Sequence, residues 1–223
     1  MPDETKRNLS PAATLVAAAL EECPLYFILD EALFGQLPPE EIAETAIECG
    51  VRMIQLRVKS WKHGDLLSLA GLLKASIAGR ALLIINDHAD IAIRAGADGV
   101  HLGPEDMAIG DIVGLDDRLV VGASAQTPED AVRAEIDGAS YLGSGAVFKS
   151  PTKPTRKVIG HDRLGEIARS VKIPVVGIGG ITAENCAAVL ESGAAGFCAI
   201  SPFAGSSDIA MDIREVCSAA GCG

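Results

Sequence analysis

Eight short apolar runs, each followed by a stretch of helical pattern, recur along the chain and restrict its fold more than any other feature. The runs are 25–30, 53–58, 81–86, 99–102, 119–123, 141–148, 174–178 and 196–200. Helical patterns fill 38–49, 66–78, 89–95, 108–115, the stretch opening at Thr127-Pro128, 163–171, 182–192 and 207–219. An Ala-rich helical segment, Pro11–Glu22, precedes the first run. Strands separated by helices pair in parallel through right-handed crossovers. Such an alternation closes either as a barrel or as an open doubly wound sheet. Eight equivalent units in about 200 residues, with no Gly-x-Gly-x-x-Gly after the first strand, favour a (β/α)8 TIM barrel with an extra N-terminal helix. Residues 1–10 read as a flexible N-terminus and 11–223 as a single barrel domain.

Composition agrees with parallel strands. Hydrophobic residues make up 48% but aromatics only 4%, so the core falls to Ala, Val, Ile and Leu, as in strands buried on both faces. A net charge of −11 argues against nucleic acid and anionic membranes as partners. No apolar run approaches the roughly 20 residues that span a bilayer, and the polar start lacks a signal-peptide pattern, so a cytoplasmic protein is expected. A homo-oligomer is compatible with these features. The six cysteines, at 23, 49, 186, 198, 217 and 222, show no metal-ligand spacing and read as free thiols rather than disulfides or zinc ligands.

Barrel logic sends every strand's C-terminal end to one face, where ligands bind. The polar residues stationed there are Asp30, Gln55, Arg57, Lys59, Asn86, Asp87, Asp106, Ser124, Ser150, Thr152, Lys153 and Ser201. Gln55 and Arg57 stand two apart and share one side of their strand, and Lys59 extends the series. An inward guanidinium needs a counter-anion: either Asp30 or Asp87, or a ligand phosphate. Asp87 and Asp106 follow strands and suit a divalent cation such as Mg²⁺, whose shell usually adds water and ligand phosphate. Helix N-capping is the other role open to each. His88 and His101 read as structural. Gly177-Ile178-Gly179-Gly180-Ile181-Thr182 follows a strand and is expected to open a helix, which suits a phosphate. The cationic, hydroxyl-bearing loop Phe148–Pro154 reads as an anion clamp, or else as a solvated lid.

Taken together, these pieces resemble the thiamine-phosphate synthase family. The matching residues are Gln55-Leu56-Arg57 with Lys59, Asn86-Asp87, Asp98-Gly99-Val100-His101-Leu102-Gly103 with Glu105-Asp106, and Gly122 with Ser124. They continue through Phe148, Pro151-Thr152-Lys153-Pro154, Ile178-Gly179-Gly180-Ile181-Thr182 and Ile200-Ser201, covering the chain from Leu25 to Phe203. The resemblance implies a Mg²⁺-assisted transferase that joins an aminopyrimidine methyl diphosphate to a thiazole phosphate and releases pyrophosphate. It implies that Gln55, Leu56, Arg57, Val58, Lys59, Asn86, Ser124 and Lys153 lie at the pyrimidine diphosphate. Ser150, Pro151, Thr152, Gly180, Ile200 and Ser201 would receive the thiazole phosphate, and Asp87 and Asp106 would hold the metal. Arg57, Lys59, Ser124 and Lys153 would act in catalysis. Val58 stands where the family usually has Glu, Pro104 where Gln is common, Ala125-Gln126 in place of Thr-His, and Lys149-Ser150 in place of Pro-Thr. A diverged paralogue, acting as a thiazole tautomerase or as a non-catalytic binder of phosphorylated thiamine precursors, is the alternative.

Overall fold

Strand β1 (Leu25–Asp30) has all six residues buried, which a strand achieves only when both of its faces are covered. Seven more follow: β2 (Met53–Arg57), β3 (Leu82–Asn86), β4 (Gly99–Leu102), β5 (Val120–Ser124), β6 (Tyr141–Gly145), β7 (Val175–Ile178) and β8 (Gly196–Ala199). They pair in parallel in chain order, and β8 returns to β1, so the sheet closes as the expected eight-stranded barrel. Helices α2 (Pro39–Glu48), α3 (His63–Ile77), α4 (Ala89–Ala95), α5 (Ile109–Val113), α6 (Pro128–Ile136), α7 (Gly160–Ser170), α8 (Cys186–Glu191) and α9 (Ile209–Ala219) follow the strands in turn. This computed structural model describes residues 9–35, 37–116, 118–149, 157–200 and 202–222. Among them, no helix is long and apolar enough to cross a membrane.

The pleat divides the apolar residues into two cores. Outward side chains such as Phe27, Leu29, Leu56, Ile85 and Val121 pack against Ile42, Leu73, Ile91 and Ile213 of the surrounding helices. Inward ones, including Tyr26, Ile28, Met53, Ile84, Val120, Tyr141 and Val176, form a second core inside the barrel. Helix α1 (Pro11–Glu22) completes that inner core with Ala12, Val16, Ala19 and Leu20. Its start is well specified, since the Ser10 side chain accepts from the Ala13 N–H at 3.1 Å and Pro11 opens the first turn. Leu20 packs against Gly196 at the beginning of β8, where an added Cβ would come within 2.9 Å of it. The helix therefore plugs the N-terminal end of the barrel, and full burial of Val16 and Leu20 contributes about 1.5–3 kcal/mol each. With one end plugged, the opposite end is the mouth.

Local signals placed most elements. Thr127 and Asp130 form a reciprocal capping box at α6, with Pro128 in its first turn. One expectation needs correcting: helix α8 begins at Cys186, not at Thr182. The Asn185 side chain accepts from the Thr182 N–H at 2.9 Å and donates to the Gly180 carbonyl at 3.0 Å. These side-chain bonds shape a local turn ahead of the helix, as Asn commonly does at such positions.

Candidate active site

Register decides which polar side chains meet at the mouth. Asp30 of β1 sits opposite Arg57 of β2, and alternation turns both inward. Arg57 Nη1 forms an ion pair with Asp30 Oδ2, while Asp30 Oδ1 accepts from the Ala32 N–H at 3.1 Å. Of the two carboxylates open to Arg57 in the sequence, Asp30 is the partner taken. Next to it, the Glu31 carboxylate accepts from the Lys59 and Ser60 amides and from the Ser60 hydroxyl. These bonds, the hydroxyl's foremost, hold its carboxyl below the usual range. They also pin the loop that carries Lys59, whose Nζ stands 3.7 Å from Asp87 Oδ2.

Neither Asp87 nor Asp106 caps a helix. The residue before α4 is His88, which makes no side-chain cap bond, and the residue before α5 is Ala108. Asp87 takes the left-handed conformation (φ 65°) and donates its N–H to the His101 carbonyl at 2.9 Å, a geometry Asp tolerates better than most residues. Its side chain lines the cavity at the mouth. Asp106 stands beside that cavity, with Oδ2 accepting from the Gly103 N–H at 2.6 Å; Gly103 and Pro104 themselves line it. Two hard carboxylates from neighbouring strand ends, with an Asn beside them, are a donor set that fits Mg²⁺.

Beneath these charges runs a chain of hydrogen bonds that the sequence did not disclose. Gln55 Nε2 donates to the Tyr26 hydroxyl at 2.8 Å, which pairs with the Tyr141 hydroxyl at 2.8 Å. Tyr141 Oη lies 3.1 Å from His101 Nδ1, and His101 Nε2 lies 3.2 Å from Ser124 Oγ. The two tyrosine rings meet edge to face at 5.7 Å. Burial pushes both phenols up, so they stay protonated, and burial pushes the His101 imidazole down to about 4. The Gln55 amide donates into one end of this chain, and Ser124 Oγ stands at the other. Ser124 itself lines the cavity, so the chain runs from the barrel interior to the mouth. Glycines make room for the rings: a Cβ on Gly122 would lie 2.2 Å from the Tyr141 ring, and one on Gly143 would lie 3.1 Å from His101.

The cavity occupies about 810 Å³ and is lined by Asp30, Gln55, Arg57, Lys59, Asn86, Asp87, His101 and Ser124 on one side. Gly179, Gly180, Ile181, Ile200 and Ala204 line the other. Gly179 and Gly180 take positive φ values of 100° and 68°, and an added Cβ at Gly180 would lie 2.5 Å from the Lys149 carbonyl oxygen. Backbone thus passes as close there as the sequence suggested, although with α8 displaced no helix N-terminus adds its dipole at Thr182. Leu56 and Val58 turn away from the cavity into the outer core, because they alternate with Gln55 and Arg57. Ser150, Pro151, Thr152, Lys153 and Ser201 lie outside the described residues. Tyr26, Tyr141 and His101 are the members that sequence reasoning missed. Their one signal was polar atoms at inward-facing positions of strands otherwise apolar.

Comparison with known proteins places this geometry. The family model described as thiamine monophosphate synthase matches residues 25–203. A thiamine-phosphate synthase of Pyrococcus furiosus is 39% identical over 193 residues, covering 86% of this chain and 92% of the relative. One from Coprothermobacter proteolyticus is 40% identical over 201 residues, covering 88% and 95%. The solved structure of a thiamine phosphate pyrophosphorylase from Pyrococcus furiosus superposes with a TM-score of 0.81 at 35% identity, covering 91% of this chain and 97% of that one. A 3-hexulose-6-phosphate synthase, at 19% identity and TM-score 0.69, shares the fold alone. By the extent of that match and the identity to its members, the chain belongs to the thiamine monophosphate synthase family.

Proposed function

We propose that this chain couples an aminopyrimidine methyl diphosphate with a thiazole phosphate to give thiamine phosphate and pyrophosphate. The observation that carries the proposal is that Gln55, Arg57, Lys59, Asn86, Asp87 and Ser124, drawn from three strand ends and the loops after them, line one cavity. Its volume of about 810 Å³ falls in the range of small-molecule sites. In the reaction, the bond from the methylene carbon to the diphosphate oxygen breaks, and the diphosphate leaves with the electron pair. The electron-rich aminopyrimidine supports the resulting cation, and the thiazole nitrogen closes the new C–N bond with its lone pair. No proton has to be removed, which agrees with a floor of neutral phenols and a neutral imidazole.

Catalysis then rests on stabilising the departing charge and on placing the two rings. Arg57, Lys59 and Lys153 neutralise the diphosphate, and Ser124 gives it a hydroxyl donor. Gln55 and Asn86 hold the pyrimidine end. Gly180 and Ile200, with Ser150, Pro151, Thr152 and Ser201, receive the thiazole phosphate. Asp87 and Asp106 are the residues that would hold Mg²⁺, which when bound supplies further positive charge at the diphosphate oxygens.

The test is one incubation of purified protein with both substrates, with and without Mg²⁺, followed by mass spectrometry. Thiamine phosphate and pyrophosphate in equal amounts, dependent on Mg²⁺, are expected. Isomerised thiazole without coupling would assign the tautomerase reaction instead, and binding without any product would leave a non-catalytic binder.

A further inference from the structure

The sulfur of Cys23 meets those of Cys217 and Cys222, which lie far along the chain from it, at the base of the barrel, the end opposite the mouth. Their Sγ atoms all lie within 4.8 Å of one another, and Cys23 and Cys217 are 3.8 Å apart. A tetrahedral ion with metal–sulfur bonds of about 2.3 Å needs sulfurs about 3.8 Å apart, so this pair already has the spacing.

Backbone structure, rather than chance contact, makes the cluster. Helix α9 ends in a Schellman turn: the Cys222 N–H donates to the Cys217 carbonyl at 2.9 Å, and the Gly221 N–H to the Ser218 carbonyl at 3.1 Å. Gly221 takes the left-handed conformation this turn demands, with φ 78°. In such a turn the side chains at the two ends of the longer bond face each other, and here both are cysteines. The third member, Cys23, is the C-terminal cap of α1, its N–H donating to the Ala19 carbonyl at 3.2 Å. Two helix C-termini therefore converge on the three sulfurs, and the negative ends of their dipoles favour a cation. Cys23 and Cys217 are buried, while Cys222 is partly exposed and gives an ion its way in.

We propose that Cys23, Cys217 and Cys222 form a three-thiolate site for a soft divalent cation of the Zn²⁺ type, which fastens the closing helix to the plug helix. Binding exchanges the three S–H protons for three metal–sulfur bonds, the protons passing to solvent, and water fills the fourth position. The site is separate from the hard-ligand pair Asp87 and Asp106, since thiolates select soft ions and carboxylates hard ones.

The test uses the full chain, fully reduced and stripped of metal, titrated anaerobically with Co²⁺ and then with Zn²⁺. Expected are a sulfur-to-cobalt charge-transfer band that saturates at one ion per chain, its loss on adding Zn²⁺ but not Mg²⁺, and a higher thermal midpoint with Zn²⁺ bound. Cys217→Ser and Cys222→Ser should each weaken the band's titration by roughly tenfold or more, as loss of a ligand does. Cys198→Ser, inside the barrel, should leave it unchanged. If Cys217→Ser fails to fold, Cys222→Ser near the end of the chain still decides. No band at equimolar Co²⁺, or an undiminished band in Cys222→Ser, would overturn the proposal. So would a Cys23–Cys217 disulfide in protein that takes up no metal once reduced.

Discussion

Arg57 holds two partners in this account, and a double-variant cycle separates them. Its guanidinium is paired with Asp30, whose side chain is only 9% exposed against 22% for Arg57. Among the described residues, Arg57→Gln leaves that carboxylate with the Ala32 N–H as its donor. Removing one member of a fully buried pair costs about 3–5 kcal/mol. Water reaching the partly exposed guanidinium position offsets some of this, so about 2–3 kcal/mol is expected. In a chain of this length the thermal midpoint should fall by roughly 4–12 °C. Asp30→Asn combined with Arg57→Gln leaves no unpaired charge and should return stability to within about 1 kcal/mol of wild type. Activity should not return, because a charged hydrogen bond to the departing diphosphate is worth about 1.5–3 kcal/mol. That corresponds to a loss of roughly tenfold to a hundredfold in kcat/KM. Urea unfolding and steady-state kinetics on the four proteins measure both quantities. A double variant that recovers stability and turnover together would show that Arg57 merely neutralises Asp30, and the ligand role would be refuted.

Other outcomes follow from single sites. Asp87→Asn should lower turnover by roughly a hundredfold and raise the Mg²⁺ concentration needed for half-maximal rate; an unchanged Mg²⁺ requirement would remove Asp87 from the metal. Gly180→Ala forces a Cβ to 2.5 Å from the Lys149 oxygen at φ 68°. It should lose about 1–3 kcal/mol of stability and raise KM for the thiazole phosphate more than for the pyrimidine diphosphate. His101 has its pKa lowered from 6.5 to about 4 on folding, so the unfolded chain binds the proton more readily. Its contribution is complete above pH 6.5 and is lost as pH falls through 4, a change of about 3 kcal/mol. Urea unfolding across that window should show a smaller loss for His101→Gln than for wild type, and parallel curves would contradict the half-buried neutral imidazole.

What the sequence disclosed and what it hid have physical causes. Period-two alternation is local, so Gln55 and Arg57 could be placed on the same side of β2, and Leu56 and Val58 on the other. The capping box at Thr127 and the Pro at α6 are equally local. The choice of Asp30 over Asp87 as the partner of Arg57 depends on strand register, which is a property of the pair and not of either strand. The chain from Gln55 through Tyr26, Tyr141 and His101 to Ser124 joins five strands, and no spacing along the chain announces it. His101 therefore reads as structural in the sequence, while its ring also contacts a cavity-lining hydroxyl. Cys23 and Cys217 lie 194 positions apart, so barrel closure and a helix-ending turn bring together thiols that show no ligand spacing. At α8, the Asn185 side chain shapes a turn ahead of the helix, which helix periodicity does not weigh.

The central claim is that one barrel mouth grips both phosphorylated rings, with opposite walls taking the two phosphate-bearing ends. A crystal structure with thiamine phosphate, pyrophosphate and Mg²⁺ tests it most directly. Pyrophosphate beside Arg57 and Lys59, with the ion on Asp87 and the thiazole phosphate at Gly180 and Ile200, is the predicted result. Ligands bound outside this cavity, or pyrophosphate at Gly180 with Arg57 still turned only to Asp30, would contradict it.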